Sequence, residues 1–98
     1  MAPEEMGQLD TRVVKPLIRQ ILETGTVTFS GHARGEMLKD KLTTVDCVNV
    51  LRGGVVDPGE WDRGSWRYRV KTNVICVVVT FRSETHLVVV TAWRIRLR

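Results

Sequence analysis

Two stretches near the C-terminal end of the chain, residues 66–71 and 93–98, alternate cationic and apolar residues with a period of two. Their cations are Arg67, Arg69 and Lys71 in the first stretch and Arg94, Arg96 and Arg98 in the second. Successive side chains of a β-strand point to opposite faces, so each stretch, read as a strand, carries its cations in one row. If both strands lie in one sheet, the cations share one surface, which predicts binding of a polyanion such as nucleic acid.

The candidate nucleic-acid contacts are Arg34, Arg69, Arg94, Arg96 and Trp61. A planar guanidinium binds phosphate oxygens in a bidentate manner, and an exposed indole stacks on a nucleobase, a contact worth roughly 1–3 kcal/mol. Trp61 lies in a polar segment, Glu60 to Ser65, that reads as a loop. The alternatives are solvated strand cations that protect a sheet edge and, for Trp61, a lid over the edge of the core.

The candidate catalytic residues are His32, Lys71 and Arg67. Cleavage of RNA without a metal needs a base for the 2′-hydroxyl proton, cations for the charge that develops at phosphorus, and an acid for the leaving oxygen. Histidine changes charge near neutral pH, so His32 is the candidate base, with Arg67 and Lys71 as electrostatic stabilisers. The alternative for His32 is a structural role at a helix end or against the sheet.

The composition favours one domain that acts without a metal or a cofactor. The 98 residues are enough for one core. The spacing of Cys47 and Cys76 is not that of metal ligands, and neither is the spacing of the two histidines. Both cysteines are interpreted as reduced core residues. No glycine-rich nucleotide loop is evident. The acidic N-terminus and the lack of an apolar run of roughly 18 residues predict a cytoplasmic protein without a membrane partner.

Charge is distributed unevenly along the chain. Residues 1–62 contain seven Lys and Arg against ten Asp and Glu, a net charge of −3, whereas residues 63–98 contain eight against one, a net charge of +7. Together they give the net charge of +4. This asymmetry predicts an acidic helical half and a basic sheet half.

The spacing of apolar residues predicts helices followed by strands. The helices run from Asp10 or Thr11 to Gly25, from Gly31 to Asp40 after the N-cap Ser30, and from Thr43 or Thr44 to Leu51. Residues 26–29 form a short strand or an extended connection, and hairpin-linked strands follow Gly54, with Tyr68 in the core. We therefore expect a flexible N-terminus, residues 1–9, and a single α+β domain, residues 10–98. Its N-terminal helices pack on one face of an antiparallel β-meander, and the cations lie on the other face.

Three short motifs occur in order. Residues 30–37 read S-x-H-A-x-x-x-M, residues 67–70 read x-Y-R-V, and residues 89–93 read V-V-T-A followed by an aromatic residue. With this order the chain resembles, over about residues 25–95, a family of small bacterial and phage proteins known as a domain of unknown function. That family looks related to the RelE/ParE superfamily of toxins and to the MqsR toxin.

The resemblance implies a RelE-like fold and a metal-independent endoribonuclease, the toxin of a toxin–antitoxin pair. RNA and an antitoxin protein would be its partners, and association with the ribosome is a further expectation. Because toxins on this fold also poison proteins without cutting RNA, two alternatives stay open. One is a non-catalytic nucleic-acid-binding or regulatory module, and the other is a toxin that acts on a protein target.

Overall fold

The computed structural model describes residues 7–96, and within that range the chain forms three helices and six strands. The helices are α1 (Thr11–Thr24), α2 (Gly31–Lys39) and α3 (Thr44–Gly53). The strands are β1 (Thr26–Phe29), β2 (Val55–Val56), β3 (Glu60–Asp62), β4 (Ser65–Lys71), β5 (Ile75–Ser83) and β6 (His86–Arg94). The predicted α+β class is confirmed.

Each helix is preceded by a residue whose side-chain oxygen accepts a hydrogen bond from an otherwise unbonded backbone N–H of the first turn. Asp10, Ser30 and Thr43 are the N-caps, and each accepts such a hydrogen bond through a side-chain oxygen. At α3 the Asp46 carboxylate also accepts from the N–H of Thr43, which completes a capping box. The sequence predicted the cap at Ser30 and placed the other two helix starts at Asp10 or Thr11 and at Thr43 or Thr44.

The six strands form a mixed sheet in the order β1-β6-β5-β4-β2, with β3 paired to β4. Strands β4, β5 and β6 are the predicted antiparallel meander. Strand β1 pairs with β6 in parallel, from Thr26 opposite His86 to Phe29 opposite Val89. The sequence did not predict this parallel edge strand, because β1 reaches β6 through helices and distant strands and no hairpin sets its direction.

One face of the sheet supplies the strand residues of the hydrophobic core. By the strand register, this core face carries Tyr68, Val70, Ile75, Val77, Val79, Phe81, Leu87, Val89 and Ala92. The same core cluster contains helix residues Val14, Ile18, Ile21, Ala33, Met37, Cys47, Val50 and Leu51. Tyr68 is 1% exposed, as predicted for a core residue. We call the opposite side of the sheet the outer face.

A β-bulge in β6 decides which face each cation occupies. Val78 pairs with Thr91 whereas Val79 pairs with Val89, so Val90 has no partner in β5. The extra residue reverses the alternation of all later side chains of the strand. Leu87 and Val89 lie on the core face before the bulge, and Ala92 and Arg94 lie on it afterwards.

The expectation that both cation rows share one surface is therefore wrong. Trp93 lies on the outer face, opposite Cys76, and Arg94 lies on the core face, opposite Ile75. Strand β6 ends at Arg94, so Arg96, which the sequence placed in the strand, lies beyond it, and Arg98 lies outside the described residues.

The first residues that the structure describes are bound to the sheet. Gln8 donates from Nε2 to the carbonyl of Gly59 at 3.2 Å, and the Leu9 N–H donates to the Tyr68 hydroxyl at 2.8 Å. Leu9 also packs against the core. These residues belong to the segment predicted to be flexible, of which residues 1–6 lie outside the described range.

Candidate nucleic-acid interface

The first cation row lies on the outer face of β4, as its alternation predicted. Two of its three cations already contact a carboxylate: Arg67 Nη1 lies 3.5 Å from Asp62 Oδ2, and Lys71 Nζ lies 3.0 Å from Asp57 Oδ2. Within residues 7–96, Arg69 has no such ion pair. Its guanidinium carbon lies 5.9 Å from the ring centroid of Trp93, a cation–π contact.

A groove of about 320 Å³ lies on the outer face between β3 and β6. Its residues from β3 are Glu60, Trp61 and Asp62, those from β4 are Arg67 and Arg69, and the others are Val78, Thr91 and Trp93. We call it the outer-face groove. It holds two carboxylates and two guanidinium groups, so its formal charge is balanced and it is not the purely basic surface that the sequence predicted.

A second cavity, of about 390 Å³, lies between the β3–β4 hairpin, the adjoining ends of β5 and β6, the segment before α1 and Ser30, the N-cap of α2. Three arginines and two tryptophans line it: Arg63, Arg67, Arg82, Trp61 and Trp66. Within the described residues, its lining contains neither Asp nor Glu. We call it the arginine–tryptophan cleft. Cations beside aromatic rings are a combination found in proteins that bind single-stranded nucleic acid.

The β3–β4 hairpin positions the aromatic wall of this cleft. Trp61 pairs with Trp66 across the two strands, and their rings meet edge to face with centroids 5.5 Å apart. Arg63 and Gly64 form the turn, with φ of 49° and 83°. Two consecutive positive φ values are typical of a type I′ hairpin, in which glycine is favoured. The interpretation of residues 60–65 as a loop is therefore wrong, because a hairpin with a three-residue strand is too short to leave a clear alternation in the sequence.

Trp61 remains accessible in this arrangement. It is 61% exposed, whereas Trp66 is half-buried and packs against the core. The edge-to-face contact fixes one side of the Trp61 ring and leaves much of its surface open to a ligand. Of the two roles that the sequence left open for Trp61, the exposed stacking surface fits better than the lid.

The candidate catalytic residues do not form one cluster. His32 is exposed in the first turn of α2, and α2 packs along β6, where Ser30 donates to the carbonyls of Val89 and Val90. Strand β5 lies between β6 and β4, and β4 carries Arg67 and Lys71. Strands β6 and β4 are therefore roughly 10 Å apart. Among the hydrogen bonds and ion pairs of residues 7–96, none joins His32 to either cation.

Three of the predicted nucleic-acid contacts also lie elsewhere. Arg34 lies on α2 with its guanidinium carbon 5.6 Å from the ring centroid of Phe29. Arg94 and Arg96 both bond to Asp40 at the end of α2, at 2.7 Å and 3.0 Å. The structure thus gathers only Arg67, Arg69 and Trp61 of the predicted residues around the two cavities.

Sequence reasoning missed the other residues of the two cavities for identifiable reasons. Arg82 lies in a second register irregularity, where Phe81 pairs with Leu87 but Ser83 pairs with His86. Arg63 occupies the turn of an unrecognised hairpin, although the following glycine is a turn signal. The alternation of residues 93–98 predicts a core position for Trp93, because the bulge at Val90 leaves no mark in a continuous apolar run.

The buried titratable groups are unsuited to acid–base or nucleophilic catalysis. Burial raises the pKa of the Cys47 thiol to about 11 and also raises the pKa of the Cys76 thiol, so both thiols stay protonated near neutral pH. Burial likewise raises the pKa of Tyr68, whose hydroxyl accepts the Leu9 N–H. In the part of the chain that the structure describes, no three His, Cys, Asp or Glu side chains come together as metal ligands would.

No family model, curated protein or solved structure matches the chain. The resemblance to a toxin family therefore stays a prediction. No helix within residues 7–96 has the length and apolar character needed to cross a membrane.

Proposed function

We propose that this protein binds single-stranded RNA at the arginine–tryptophan cleft. The observation that carries the proposal is the lining of the cleft, where Arg63, Arg67 and Arg82 surround Trp61 and Trp66. Cations neutralise the phosphate backbone, and aromatic rings stack on the bases, which are exposed only when the nucleic acid is not paired. Within residues 7–96, none of the lining residues is an acid that would repel phosphate.

The charges of the cleft support phosphate binding more strongly than those of the predicted rows. Arg63 and Arg82 are exposed, and the ion pairs found among residues 7–96 include neither of them. Arg67 is 24% exposed and contacts Asp62 at 3.5 Å, a distance at which a phosphate oxygen competes readily with the carboxylate. The cleft therefore offers two free guanidinium groups and one that exchanges partners.

We also infer that the three helices cover the core face, as in the RelE-like arrangement, and leave the outer face uncovered. Cleavage of the bound RNA is the further expectation from the family resemblance. It requires a base beside the bound phosphate. His32 does not line the cleft, but Ser30, which precedes it by two residues as the N-cap of α2, does. RNA binding does not depend on cleavage, and the antitoxin and ribosome remain predicted partners.

The test is the affinity for a fluorescently labelled single strand of about 10 nucleotides, measured by anisotropy at salt concentrations from about 50 to 200 mM. The variant Arg63→Gln/Arg82→Gln removes the two free cations. Two lost phosphate contacts reduce the slope of log K against log salt by about 1.4. Arg19→Gln is the matched control, because Arg19 is exposed on α1, outside the cleft.

Trp61→Ala separates stacking from charge. Loss of a stacked base weakens binding by roughly 5- to 150-fold while leaving the salt slope unchanged. The same samples, with EDTA present, are run on a gel to detect cleavage. Absence of salt-dependent binding, or equal slopes for the double variant and the Arg19→Gln control, would overturn the proposal.

A further inference from the structure

The outer-face groove adjoins the arginine–tryptophan cleft. Trp61 and Arg67 line both cavities, so they form the boundary between them. A strand of RNA held in the cleft by its phosphates therefore brings a neighbouring nucleotide to the mouth of the groove. This step rests on the proposed function, since the groove by itself has a balanced charge.

The groove presents acceptors on one side and donors on the other. Glu60 and Asp62 lie on β3, and Arg67 and Arg69 lie on β4, all on the outer face. Asp62 and Arg67 contact each other at 3.5 Å. Glu60 is exposed, and within residues 7–96 its carboxylate takes part in no hydrogen bond or ion pair with another side chain. One carboxylate and the Arg69 guanidinium are thus available to a ligand.

The rest of the groove suits a flat, partly apolar ring. Val78, which is 7% exposed, lies opposite Arg69 in the sheet. The indole of Trp93 forms a wall against the Arg69 guanidinium, 5.9 Å from the ring centroid. A nucleobase in the groove would contact this wall with its ring while its edges face the charged groups.

We propose that the outer-face groove binds a guanine base of single-stranded RNA. Guanine is the base with two adjacent N–H donors, at N1 and the 2-amino group, which match the two oxygens of the Glu60 carboxylate. Its O6 and N7 are acceptors, and an arginine binds them in a bidentate manner. Adenine and cytosine have one amino group beside a ring acceptor, and uracil has one N–H between two carbonyls, so a carboxylate meets a repelling lone pair on each of them.

The carboxylate of Glu60 therefore determines the choice of base, and Arg69 with Trp93 supports the ring. We expect about a tenfold preference for guanine over the other three bases, in the range of a good bidentate contact. Glu60→Gln replaces one of the two oxygens by an amide that donates, which removes the preference. Binding to the strands without guanine changes little, because the cleft supplies it.

The experiment compares labelled strands of equal length that differ in one central base: guanine, adenine, cytosine, uracil or inosine. Inosine keeps N1–H and O6 of guanine but lacks the 2-amino group. The protein should bind the guanine strand about tenfold more tightly than the adenine, cytosine and uracil strands, with the inosine strand in between. Glu60→Gln should bind all five alike, and Glu84→Gln, an exposed acid in the β5–β6 turn, should behave as the unmodified protein.

The outcomes separate the two proposals. Equal affinity of the unmodified protein for all strands overturns the guanine site while leaving RNA binding in place. A guanine preference that persists in Glu60→Gln removes the assigned role of Glu60 and overturns the inference as well. Absence of binding to every strand overturns the proposed function, and the guanine site with it.

Discussion

Arg94 is bound to Asp40 at two points. Its backbone N–H donates to the Asp40 carboxylate at 2.7 Å, and its Nε donates to the Asp40 backbone carbonyl at 2.8 Å. Asp40 follows α2 and Arg94 ends β6, so the pair ties the end of a helix to the end of a strand. A cation that looked available for phosphate from its place in the sequence is therefore part of the packing.

Removal of the Asp40 carboxylate tests this structural role. We expect Asp40→Ala to lower the free energy of unfolding by about 1–3 kcal/mol, because the half-buried N–H of Arg94 loses its acceptor. Arg96→Ala is the control, since Arg96 contacts the same carboxylate but its side chain is 75% exposed. Urea denaturation measures both, and equal losses would contradict the assignment.

The bulge at Val90 can be tested by deleting that residue. Deletion shifts the register of residues 91–94 by one position. Trp93 then turns towards the core face, and Arg94 turns towards the outer face, away from Asp40. We expect a loss of at least about 3 kcal/mol in the free energy of unfolding, whereas Val90→Thr, which keeps the bulge, costs much less. Thermal unfolding followed by circular dichroism distinguishes the two. A deletion variant as stable as Val90→Thr would contradict this view of the bulge.

His32 separates binding from cleavage. His32 is not among the residues that line the cleft, although Ser30, two residues before it, is one of them. We therefore expect His32→Ala to weaken RNA binding much less than Arg63→Gln/Arg82→Gln does. If the protein cleaves RNA with His32 as base, the same variant loses cleavage while it retains binding. Anisotropy and gel assays on the same preparation measure the two properties, and a large loss of affinity in His32→Ala would contradict the position given to the binding site.

The thiols provide a test of the packed core. Cys47 and Cys76 are both buried and free, and the raised pKa of each disfavours the reactive thiolate. We expect neither to react with a thiol reagent in the folded protein near neutral pH. In urea both should react, which is the internal control. Rapid reaction of either thiol without denaturant would show that the core face or the outer face opens locally.

The capping box of α3 predicts a dependence of stability on pH. Hydrogen bonds from Thr43 lower the pKa of Asp46 below its usual value of 3.8 in the folded state. A lowered folded-state pKa means that the stabilisation is present above the unfolded value and is lost as the pH falls below about 4. Asp46→Ala should therefore be less stable than the unmodified protein near pH 7, and the difference should shrink near pH 3. A Glu84→Ala control should show no such convergence, and a constant Asp46→Ala difference at both pH values would contradict the role of its charge.

The charge asymmetry of the chain is partly compensated within the fold. Asp40, Asp57 and Asp62 come from the acidic part of the sequence, and each pairs with a cation from the basic part, namely Arg96, Lys71 and Arg67. A charge count along the chain cannot show this, because the pairs form between segments that are distant in sequence. Among residues 7–96, the cations that line the two cavities without an ion pair are Arg63 in a turn, Arg82 at a register irregularity and Arg69 in β4.

Local residue chemistry determined most of the elements of this protein. The caps at Asp10, Ser30 and Thr43 set the helix starts because a side-chain oxygen satisfies the backbone N–H groups that follow it, and this depends only on neighbouring residues. The alternation at Arg67, Arg69 and Lys71 likewise placed these cations on one face of β4. Tertiary structure decided the direction of β1, the hairpin that carries Trp61 and the face of every residue after Val90. These three features depend on which strand edge is free to pair and on where one strand has a residue without a partner. A bulge of one residue changes the face of the side chains that follow it without changing the pattern that the sequence displays.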